Sequence, residues 1–216
     1  MKVLIACEYS GTVRDAFIKR GHDAMSCDLL PTDKPGPHYQ GDVFDIINDG
    51  WDLMIAHPPC TYLTNSGVTW LHKDISRWPK LFDGAEFFRR LLESPIKRIA
   101  IENPIMHKYA KSIIRENQKQ VVQPWMFGHP ESKATCLWLK NLPPLTETNN
   151  VKEQFLKLPK KEAQRLHYAS PGPDRWKSDQ PRFKALLMQW QNNGDDSHNN
   201  KSYQARTVKE VENETK

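Results

Sequence analysis

Hydrophobic and polar residues alternate along this chain in two kinds of pattern. Short continuous apolar runs are typical of strands buried on both faces of a sheet, and stretches with an apolar residue every third or fourth position are typical of helices that pack on one side. The runs predict strands at residues 2–7, 23–27, 51–56, 96–101, 120–125 and 134–139, and a short third element ending at residues 41–43. The helical spacing occurs at residues 12–20, 44–48, 79–92 and 109–117. Strands alternating with helices in this way predict an α/β fold with a doubly wound, mostly parallel sheet.

Glycine and proline stand where several of these elements should stop. Gly21 follows the first helix, at the position where a glycine commonly closes a helix. Pro58 and Pro59 follow the strand at residues 51–56, and proline cannot continue a hydrogen-bonded ladder. A loop rich in proline and glycine covers residues 31–40. These breaks agree with the predicted order of strands and helices.

The pattern fades after Pro144. Residues 152–167 predict an amphipathic helix that Pro159 would break, and residues 183–190 predict another helix. The remaining residues, 192–216, are mostly polar and predict a disordered tail. The predicted domains are therefore a main domain at residues 1–144, a short extension at residues 145–191 and the tail at residues 192–216.

Composition and charge set broad limits on function. The chain has 216 residues, of which 38% are hydrophobic and 26% charged, which is ordinary for a soluble globular protein. The formal net charge of +5 permits a polyanion partner without requiring one. No apolar run approaches the roughly 18 residues that a membrane span needs, and the N-terminal run ends too early, at Glu8, for a secretory signal. We therefore expect no membrane association and a cytoplasmic location, the host cytoplasm for a viral protein.

Cysteine spacing argues against two kinds of site. The four cysteines form no Cys-x-x-Cys pair, and in a chain without a secretion signal this argues against disulfides and against a zinc site. No metal is therefore predicted, and each thiol is either a small buried hydrophobe or a reactive group. The four are Cys7, Cys27, Cys60 and Cys136.

Polar residues follow nearly every predicted strand. The carboxyl ends of parallel strands meet at one edge of the sheet, and ligands of open parallel sheets bind there. We therefore expect a single site that brings together a turn, several carboxylates and a thiol. The segments concerned are Glu8-Tyr9-Ser10-Gly11, Asp28, Asp42, Pro58-Pro59-Cys60 and Glu102-Asn103-Pro104.

Three of these segments suit a nucleoside ligand, although each has a plainer explanation. The small residues Ser10 and Gly11 would let a ligand approach backbone amides closely, or form no more than a tight connection. Asp28 is placed to accept hydrogen bonds from a ribose diol, or serves as a loop carboxylate. Asp42 is placed to accept from an adenine amine, or is a solvated turn residue.

Cys60 and Glu102 suggest chemistry rather than binding. Cys60 follows two prolines on a stiff loop, and a thiolate is the form of cysteine that attacks carbon. Taken alone, a loop cysteine is more often inert. Glu102 follows an apolar run, where partial burial would keep its carboxyl protonated and able to donate to a ring nitrogen.

Three motifs in this order resemble those of the DNA cytosine-C5 methyltransferase family, over roughly residues 2–139. The segment from Pro58 to Gly67, Pro-Pro-Cys-Thr-Tyr-Leu-Thr-Asn-Ser-Gly, is similar to the family's Pro-Cys nucleophile loop. Glu102-Asn103-Pro104 is similar to its Glu-Asn-Val motif. Residues 127–135, Phe-Gly-His-Pro-Glu-Ser-Lys-Ala-Thr, are similar to its Tyr-Gly-x-Pro-Gln-x-Arg-x-Arg motif.

The resemblance implies a Rossmann-like methyltransferase fold and a role for each motif. It implies a cytosine flipped out of DNA, with Cys60 as the nucleophile at C6, Glu102 at N3 and Lys133 orienting both the base and Glu102. S-adenosylmethionine is the implied cofactor, and the implied substrate contacts are Thr61, Thr64, Ser66, Asn103 and Thr135. The implied cofactor contacts are Cys7, Glu8, Tyr9, Ser10, Gly11, Asp28, Asp42 and Pro58.

The chain departs from the family in three places. Its first strand ends Cys7-Glu8-Tyr9-Ser10-Gly11, where the family has Asp-Leu-Phe-x-Gly-x-Gly. Glu131 and Thr135 stand for the family's glutamine and second arginine. The family's large target-recognition domain has no counterpart, which indicates a reduced, bacteriophage-type member.

Without that domain, few residues are left to read a DNA sequence. A partner subunit that supplies recognition is one interpretation. Contact by a basic stretch of this chain is another, with Tyr168 and Trp176 stacking on bases, and a plain solvated surface is the third. The basic residues are Lys140, Lys157, Lys160, Lys161, Arg165, Arg175, Lys177, Arg182 and Lys184.

Two other functions stay open. His57-Pro58-Pro59 also resembles the Asp/Asn-Pro-Pro-aromatic loop of exocyclic-amine methyltransferases, although Cys60 replaces the aromatic residue. The altered first loop fits a methyltransferase-like protein that binds S-adenosylmethionine or DNA without catalysing transfer.

Overall fold

The structure, a computed structural model, describes residues 1–165. The predicted helix at residues 183–190, the predicted tail, Tyr168, Trp176 and the basic residues from Arg175 onward lie outside this range. No helix within it is long and apolar enough to cross a membrane. The strands are β1 (Lys2–Ala6), β2 (Asp23–Asp28), β3 (His38–Gln40), β4 (Leu53–Ala56), β5 (Arg98–Pro104), β6 (Gln120–Val122) and β7 (Thr135–Lys140). The helices are α1 (Thr12–Ile18), α2 (Val43–Ile46), α3 (Val68–Leu71), α4 (Arg77–Leu92), α5 (Lys108–Ile114), α6 (Lys152–Lys157) and α7 (Lys160–Ala163).

The seven strands form one sheet in the order β3-β2-β1-β4-β5-β7-β6. The first five are parallel, and β7 runs antiparallel to both β5 and β6. The chain winds from β1 outward to β3, then returns beside β1 as β4 and winds in the opposite direction. This confirms the doubly wound α/β fold and puts the topological switch point, where such sheets bind ligands, between β1 and β4.

The two strands at the switch point form the centre of the core. Val3–Ala6 and Leu53–Ala56 are buried at every position, as their continuous apolar runs predicted. On one face, the indole ring of Trp138 in β7 packs edge-on against Phe88 of α4, with ring centroids 4.9 Å apart. The Trp138 indole N–H donates to the Glu116 carbonyl at 3.0 Å, so this large side chain is buried without an unpaired donor.

Strand β5 is longer at its C-terminal end than the sequence predicted. Residues 96–101 were expected to form the strand, with Glu102 and Asn103 beyond its end, and this boundary is wrong. Antiparallel pairing with β7 continues through Pro104, with Glu102 opposite Leu137 and Asn103 opposite Cys136. Both residues therefore have the fixed backbone of a strand.

Two other predicted boundaries differ for local reasons. The strand predicted at residues 120–125 ends at Val122, because Pro124 begins a short 3-10 helix, Pro124–Met126. Asp42 belongs to a helix rather than to the end of a strand: its side chain accepts from the Phe44 N–H at 3.0 Å and caps α2.

The described chain divides into two compact units. The first contains Met1–Val122 and Ala134–Pro144, which is the whole sheet, and the second contains Gln123–Lys133 together with the chain from Leu145. Unit boundaries therefore fall after Val122, Lys133 and Pro144. The predicted domains at residues 1–144, 145–191 and 192–216 stay predictions. In the second unit, Pro159 separates α6 from α7, as predicted.

Candidate functional site

The nucleophile loop, residues 57–67, leaves the end of β4 in a fixed conformation. The His57 N–H donates to the Ala6 carbonyl at 3.0 Å, which ties the start of the loop to β1. The Cys60 carbonyl accepts the N–H groups of Leu63 and Thr64 at 3.0 and 3.2 Å, so residues 60–64 form one tight turn. Leu63 is fully buried and anchors this turn, while Cys60 remains half-buried. The predicted nucleophile is therefore held on a rigid turn with its thiol partly exposed.

The same loop is fastened to the chain that follows β5. The His107 N–H donates to the Leu63 carbonyl at 3.0 Å, and the Asn65 N–H donates to the Ile105 carbonyl at 3.1 Å. The His107 ring accepts the Ala110 N–H at Nδ1, 3.1 Å away, so its Nε2 carries the proton that is donated to the Tyr62 carbonyl at 2.9 Å. Sequence reasoning did not identify this buried histidine as a support of the loop.

The predicted substrate residues of the loop have different environments. Thr61 is exposed, whereas Thr64 is buried and its hydroxyl bonds the Ser66 hydroxyl at 2.9 Å. At Gly67 the chain returns so close that a Cβ would lie 2.8 Å from the Thr61 carbonyl oxygen. Only glycine fits there, which explains the Ser-Gly end of the motif.

Glu102 meets the start of the nucleophile loop through His57. Ala56 of β4 pairs with Ile101 of β5, so the next residues of the two strands are neighbours. His57 Nδ1 lies 3.3 Å from Glu102 Oε1, with 4% of the histidine side chain and 17% of the glutamate side chain exposed. The structure therefore brings Cys60 and Glu102 to one rim. His57 is a further site residue, and its sequence signal was only its place in the His-Pro-Pro motif.

The neighbours of Glu102 are largely protected from solvent. Asn103 is fully buried, and neither polar atom of its amide has a hydrogen-bond partner in the described part of the chain. Cys136 lies opposite Asn103 in β7, and burial raises the pKa of its thiol, with Lys111 opposing the shift and Glu102 adding to it. Asn103, predicted to contact substrate, is thus an unsatisfied polar group inside the sheet.

The first loop is organised around a buried glutamate. Glu8 is fully buried, and its Oε1 accepts the Val13 N–H at 2.7 Å and the Ser10 hydroxyl at 2.9 Å. Its Oε2 accepts the Arg14 N–H at 3.1 Å. The carboxylate thus satisfies amides that the start of α1 would otherwise leave unpaired. Both oxygens of Glu8, predicted to contact a cofactor, bond to the protein itself.

Arg14 joins this loop to the one that follows β2. Its guanidinium is fully buried, pairs with Asp15 at 2.8 Å and donates to the carbonyls of Lys34 and Pro35 at 3.2 Å each. Gly11 has a φ of 68°, and a Cβ there would collide with this guanidinium. The positive φ and the nearby guanidinium both favour glycine at this position, whether or not a ligand binds there.

Cys7, Asp28 and Asp42 lie together at the ends of β1, β2 and the start of α2. Burial raises the pKa of the Cys7 thiol well above its usual range, and the charges of Asp28 and Asp42 contribute to this shift. Asp28 uses one oxygen to accept the Leu30 N–H at 3.0 Å, and Asp42 caps α2 in the same manner. Because a carboxylate has two oxygens, each aspartate still offers one to hydroxyl or amine groups of a nucleoside. These two acceptors fit the ribose hydroxyl and adenine amine donors of S-adenosylmethionine.

Two further predicted cofactor contacts flank this cluster. The Tyr9 carbonyl accepts the Asp33 N–H at 2.9 Å, and burial, with the charges of Asp33 and Asp28, raises the pKa of the Tyr9 hydroxyl. Pro58 is buried beside the switch point, directly after His57.

The third motif is divided between the two units. Lys133 belongs to the second unit, where its N–H donates to Gln123 Oε1 at 3.0 Å, while Thr135 is buried in β7 of the first. Within the second unit, Glu131 is buried and pairs with Arg165 at 2.5 Å. Glu131, which stands where the resembled motif has glutamine, therefore has an arginine partner.

Comparison with known proteins gives likeness of fold only. No family model matches the sequence, and no curated protein sequence matches it. Structural similarity is found to a protein described as a DNA modification methyltransferase encoded within a prophage of E. coli, with 18% identity and a TM-score of 0.42 over 73% of this chain and 55% of the other. The methyltransferase EhMeth of Entamoeba histolytica is 17% identical, with a TM-score of 0.44 over 68% of this chain and 57% of the other. The S. pombe Dnmt2 methyltransferase is also 17% identical, with a TM-score of 0.44 over 82% of this chain and 61% of the other.

The chain thus spans between 55% and 61% of the length of these proteins. The sheet order and the single antiparallel strand define the architecture independently of them. In fold the chain is a doubly wound, mostly parallel α/β protein with Rossmann-like topology.

Proposed function

We propose that this protein is an S-adenosylmethionine-dependent methyltransferase that acts on C5 of cytosine in DNA. The proposal depends on one observation: the chain that follows β4 and the C-terminal part of β5 lie side by side. The turn that holds Cys60 leaves β4, and Glu102 lies in the adjacent strand β5, with His57 Nδ1 at 3.3 Å from its carboxyl. A nucleophile and an acid on one rim match the order of motifs that resembles the cytosine-C5 family.

The cofactor would lie along the carboxyl ends of β1 and β2. Asp28 would accept from its ribose hydroxyls and Asp42 from its adenine amine, with Cys7 beside both aspartates. When bound, S-adenosylmethionine supplies the methyl group. Glu8 would hold the loop in place, because its carboxylate already accepts hydrogen bonds from Ser10, Val13 and Arg14.

The chemistry of the protein itself centres on Cys60 and Glu102. The Cys60 thiolate would form a bond to C6 of a cytosine flipped from the helix. Glu102 would donate its proton to N3, so that the electron pair displaced from the C5–C6 bond makes C5 nucleophilic. His57 would donate from Nδ1 to Oε1 of Glu102, 3.3 Å away, which would leave Oε2 for the base. Once C5 is methylated, the C5 proton would pass to water, the N3 proton would return to Glu102, and the Cys60 sulfur would leave as the thiolate, which restores the ring.

The direct test is transfer of a tritiated methyl group from S-adenosylmethionine to mixed-sequence duplex and single-stranded DNA. We expect transfer by the wild-type chain, a loss of at least about 100-fold in Cys60→Ala and a comparable loss in Glu102→Gln. DNA containing 5-fluorocytosine should trap a covalent adduct with the wild type and not with Cys60→Ala. Bisulfite mapping of DNA from cells that express the protein would then give the target sequence.

The same assay tests the alternative that the protein methylates an exocyclic amine. Transfer to an exocyclic amine needs no cysteine nucleophile, so substantial activity in Cys60→Ser would contradict the cytosine-C5 mechanism.

A second candidate is a methyltransferase-like protein that binds S-adenosylmethionine or DNA without turnover. The environment of Glu8 favours it, because a buried side chain occupies the first amides of α1, where this fold commonly binds a ligand. Calorimetric binding of S-adenosylmethionine without transfer to DNA, RNA or nucleotides would support this candidate. A partner subunit for sequence recognition and a cytoplasmic location stay predictions.

A further inference from the structure

The chain after the nucleophile loop folds back over that loop and forms a cationic face. This face consists of Tyr62, Trp70, Lys73, Arg77 and Lys80. The loop continues directly into α3, and the start of α4 then returns to the ring of Tyr62, two residues beyond Cys60. The cationic face is therefore continuous in sequence with the candidate nucleophile.

Arg77 is the central residue of the cationic face. Its guanidinium carbon lies 4.7 Å from the centroid of the Tyr62 ring, and its Nη2 lies 4.0 Å from the position that a Cβ would occupy at Gly67. The guanidinium thus lies close to both the middle and the C-terminal end of the nucleophile loop. Arg77 is half-buried, and its Nε is fully buried without a hydrogen-bond partner among residues 1–165.

This environment is unusual for an arginine that serves only stability. A guanidinium withdrawn from water normally gains a carboxylate or carbonyl partner, because burying an unpaired donor costs free energy. The carboxylate of this segment, Asp74, instead accepts the Ser76 hydroxyl at 2.6 Å and the Ser76 N–H at 3.0 Å. Those hydrogen bonds hold the pKa of Asp74 below its usual value, with smaller contributions from the charges of Arg77 and Lys80. Arg77 therefore lies against the Tyr62 ring, and no carboxylate among residues 1–165 pairs with its guanidinium.

Charge and aromatic surface surround Arg77. Residues 68–80 carry three cations, Lys73, Arg77 and Lys80, against the single carboxylate of Asp74. The Lys80 ammonium lies 5.7 Å from the Tyr62 ring centroid, and the Lys73 ammonium lies 5.0 Å from that of Trp70. Trp70 is 54% exposed, which is high for an indole. Exposed aromatic rings interleaved with cations are characteristic of surfaces that follow a nucleic-acid strand, where rings stack on bases and cations contact phosphates.

We propose that the cationic face binds the DNA strand that presents its base to Cys60. Arg77 binds a backbone phosphate next to the target nucleotide, Lys73 and Lys80 contact flanking phosphates, and Trp70 stacks on a neighbouring base. The inference rests on the proposed function for the identity of the nucleic acid, and it assigns the backbone contacts to the first unit rather than to the basic residues after Pro144.

The test measures DNA binding without catalysis. Fluorescence anisotropy with labelled single-stranded and duplex oligonucleotides, over a series of salt concentrations, gives Kd and its salt dependence. We expect Arg77→Met to raise Kd by about 10-fold or more, and Arg77→Lys to give an intermediate Kd because it keeps the charge without the planar fork. The double variant Lys73→Ala/Lys80→Ala should lower the slope of log K against log salt by about two phosphate contacts, roughly 0.7–0.9 each.

The matched control is Lys19→Ala/Arg20→Ala. These two exposed residues follow α1, lie far along the sequence from the nucleophile loop, and remove the same charge as the lysine pair. The control should change Kd by less than about 2-fold at physiological salt. Arg77→Met should also unfold at or above the wild-type temperature, because it removes a buried donor that has no partner.

Each outcome separates this inference from the proposed function. A wild type that binds DNA through Arg77 but transfers no methyl group keeps the inference and contradicts the proposed function. A wild type that transfers methyl groups while Arg77→Met retains the wild-type Kd contradicts the inference alone. No measurable binding by the wild type, or equal weakening by the Lys19/Arg20 control, also overturns it. An oligoribonucleotide of the same sequence that binds more tightly than DNA contradicts the assignment of DNA as the strand.

Discussion

At the residue scale, only one of the two imidazole nitrogens of His57 contacts Glu102, so two substitutions can test which nitrogen matters. Nδ1 faces Glu102 Oε1 at 3.3 Å. In His57→Asn the amide nitrogen would stand near the position of Nδ1, whereas in His57→Gln it would stand near Nε2. We expect Asn to preserve most methyl transfer and Gln to lower kcat by on the order of 10- to 100-fold with little change in KM, because Glu102 acts in the chemical step. Steady-state transfer kinetics measure both parameters.

Nitrogen NMR of the wild-type imidazole gives a readout that does not require turnover. The donor role of Nδ1 predicts the Nδ1–H tautomer in the wild type and a change of tautomer population in Glu102→Leu. An imidazole unaffected by Glu102→Leu, or equal activities of the Asn and Gln variants, would count against a positioning role.

Single residues also show what could be read from the sequence. Cys60 and Glu102 were identified because each lies where a predicted parallel strand ends, at the shared edge of the sheet, and in a segment that resembles a family motif. The partnership of His57 with Glu102 was missed because the two are 45 positions apart. The burial of Arg14 was missed for the same reason, since its carbonyl partners lie 20 and 21 positions away. Pattern reasoning identifies a polar residue at an edge, but its hydrogen-bond partners depend on loops whose conformations the pattern does not specify.

At the element scale, the start of α1 depends on a side chain that precedes it by several residues. Gly11 is the N-cap and has no side chain to offer, so Glu8 replaces the usual cap by accepting from Val13 and Arg14. Glu8→Ala would leave these amides buried without a partner. We expect it to lower the free energy of unfolding by roughly 3 kcal/mol, measured by urea denaturation, because hydrogen bonds to a charged group contribute most.

Two companion variants separate the stability contributed by the Val13 and Arg14 amides from that contributed by the Ser10 hydroxyl. Ser10→Ala removes the hydroxyl bond to Glu8 and also the acceptor of the Thr12 N–H at 3.2 Å, and should cost about 1–2 kcal/mol. Glu8→Gln keeps an acceptor but turns an amide N–H toward another donor, so its effect should lie between the other two. If Glu8→Ala is no more destabilising than Ser10→Ala, the carboxylate does not cap the helix.

The boundaries of the elements follow the same division between local and distant causes. The helix at residues 152–167 was expected to break at Pro159, and it does, because proline acts on its own turn. The extension of β5 to Pro104 was not predicted, since its cause is pairing with β7, more than thirty residues later. Elements whose ends depend on a local residue were predicted well, and those that depend on a distant strand were not.

At the scale of the whole molecule, buried thiols link stability to pH. Burial, with the charges of Asp28, Asp42 and Asp45, raises the pKa of Cys27 to about 12, and the pKa of Cys7 shifts in the same direction. An unfolded thiol ionises near pH 8.5–9. Between that pH and about 12 the folded chain therefore holds protons that the unfolded chain has released, so stability falls as pH rises. Below pH 8 both states are protonated, and these thiols do not change the stability.

Two substitutions at Cys27 separate this titration from packing. Cys27→Ser keeps a donor toward the Gly41 carbonyl, which the thiol contacts at 3.6 Å, and Cys27→Ala removes it, but neither side chain ionises in this range. Their stabilities at pH 7 should therefore differ from each other. Their slopes between pH 9 and 11 should both be shallower than the wild-type slope, by at most about 1.4 kcal/mol per pH unit for one thiol. Urea denaturation under reducing conditions at several pH values measures these slopes. Because Cys27 lies beside the aspartates proposed to hold the cofactor, wild-type slopes in both variants would mean that this edge of the sheet is more open to water than its packing indicates.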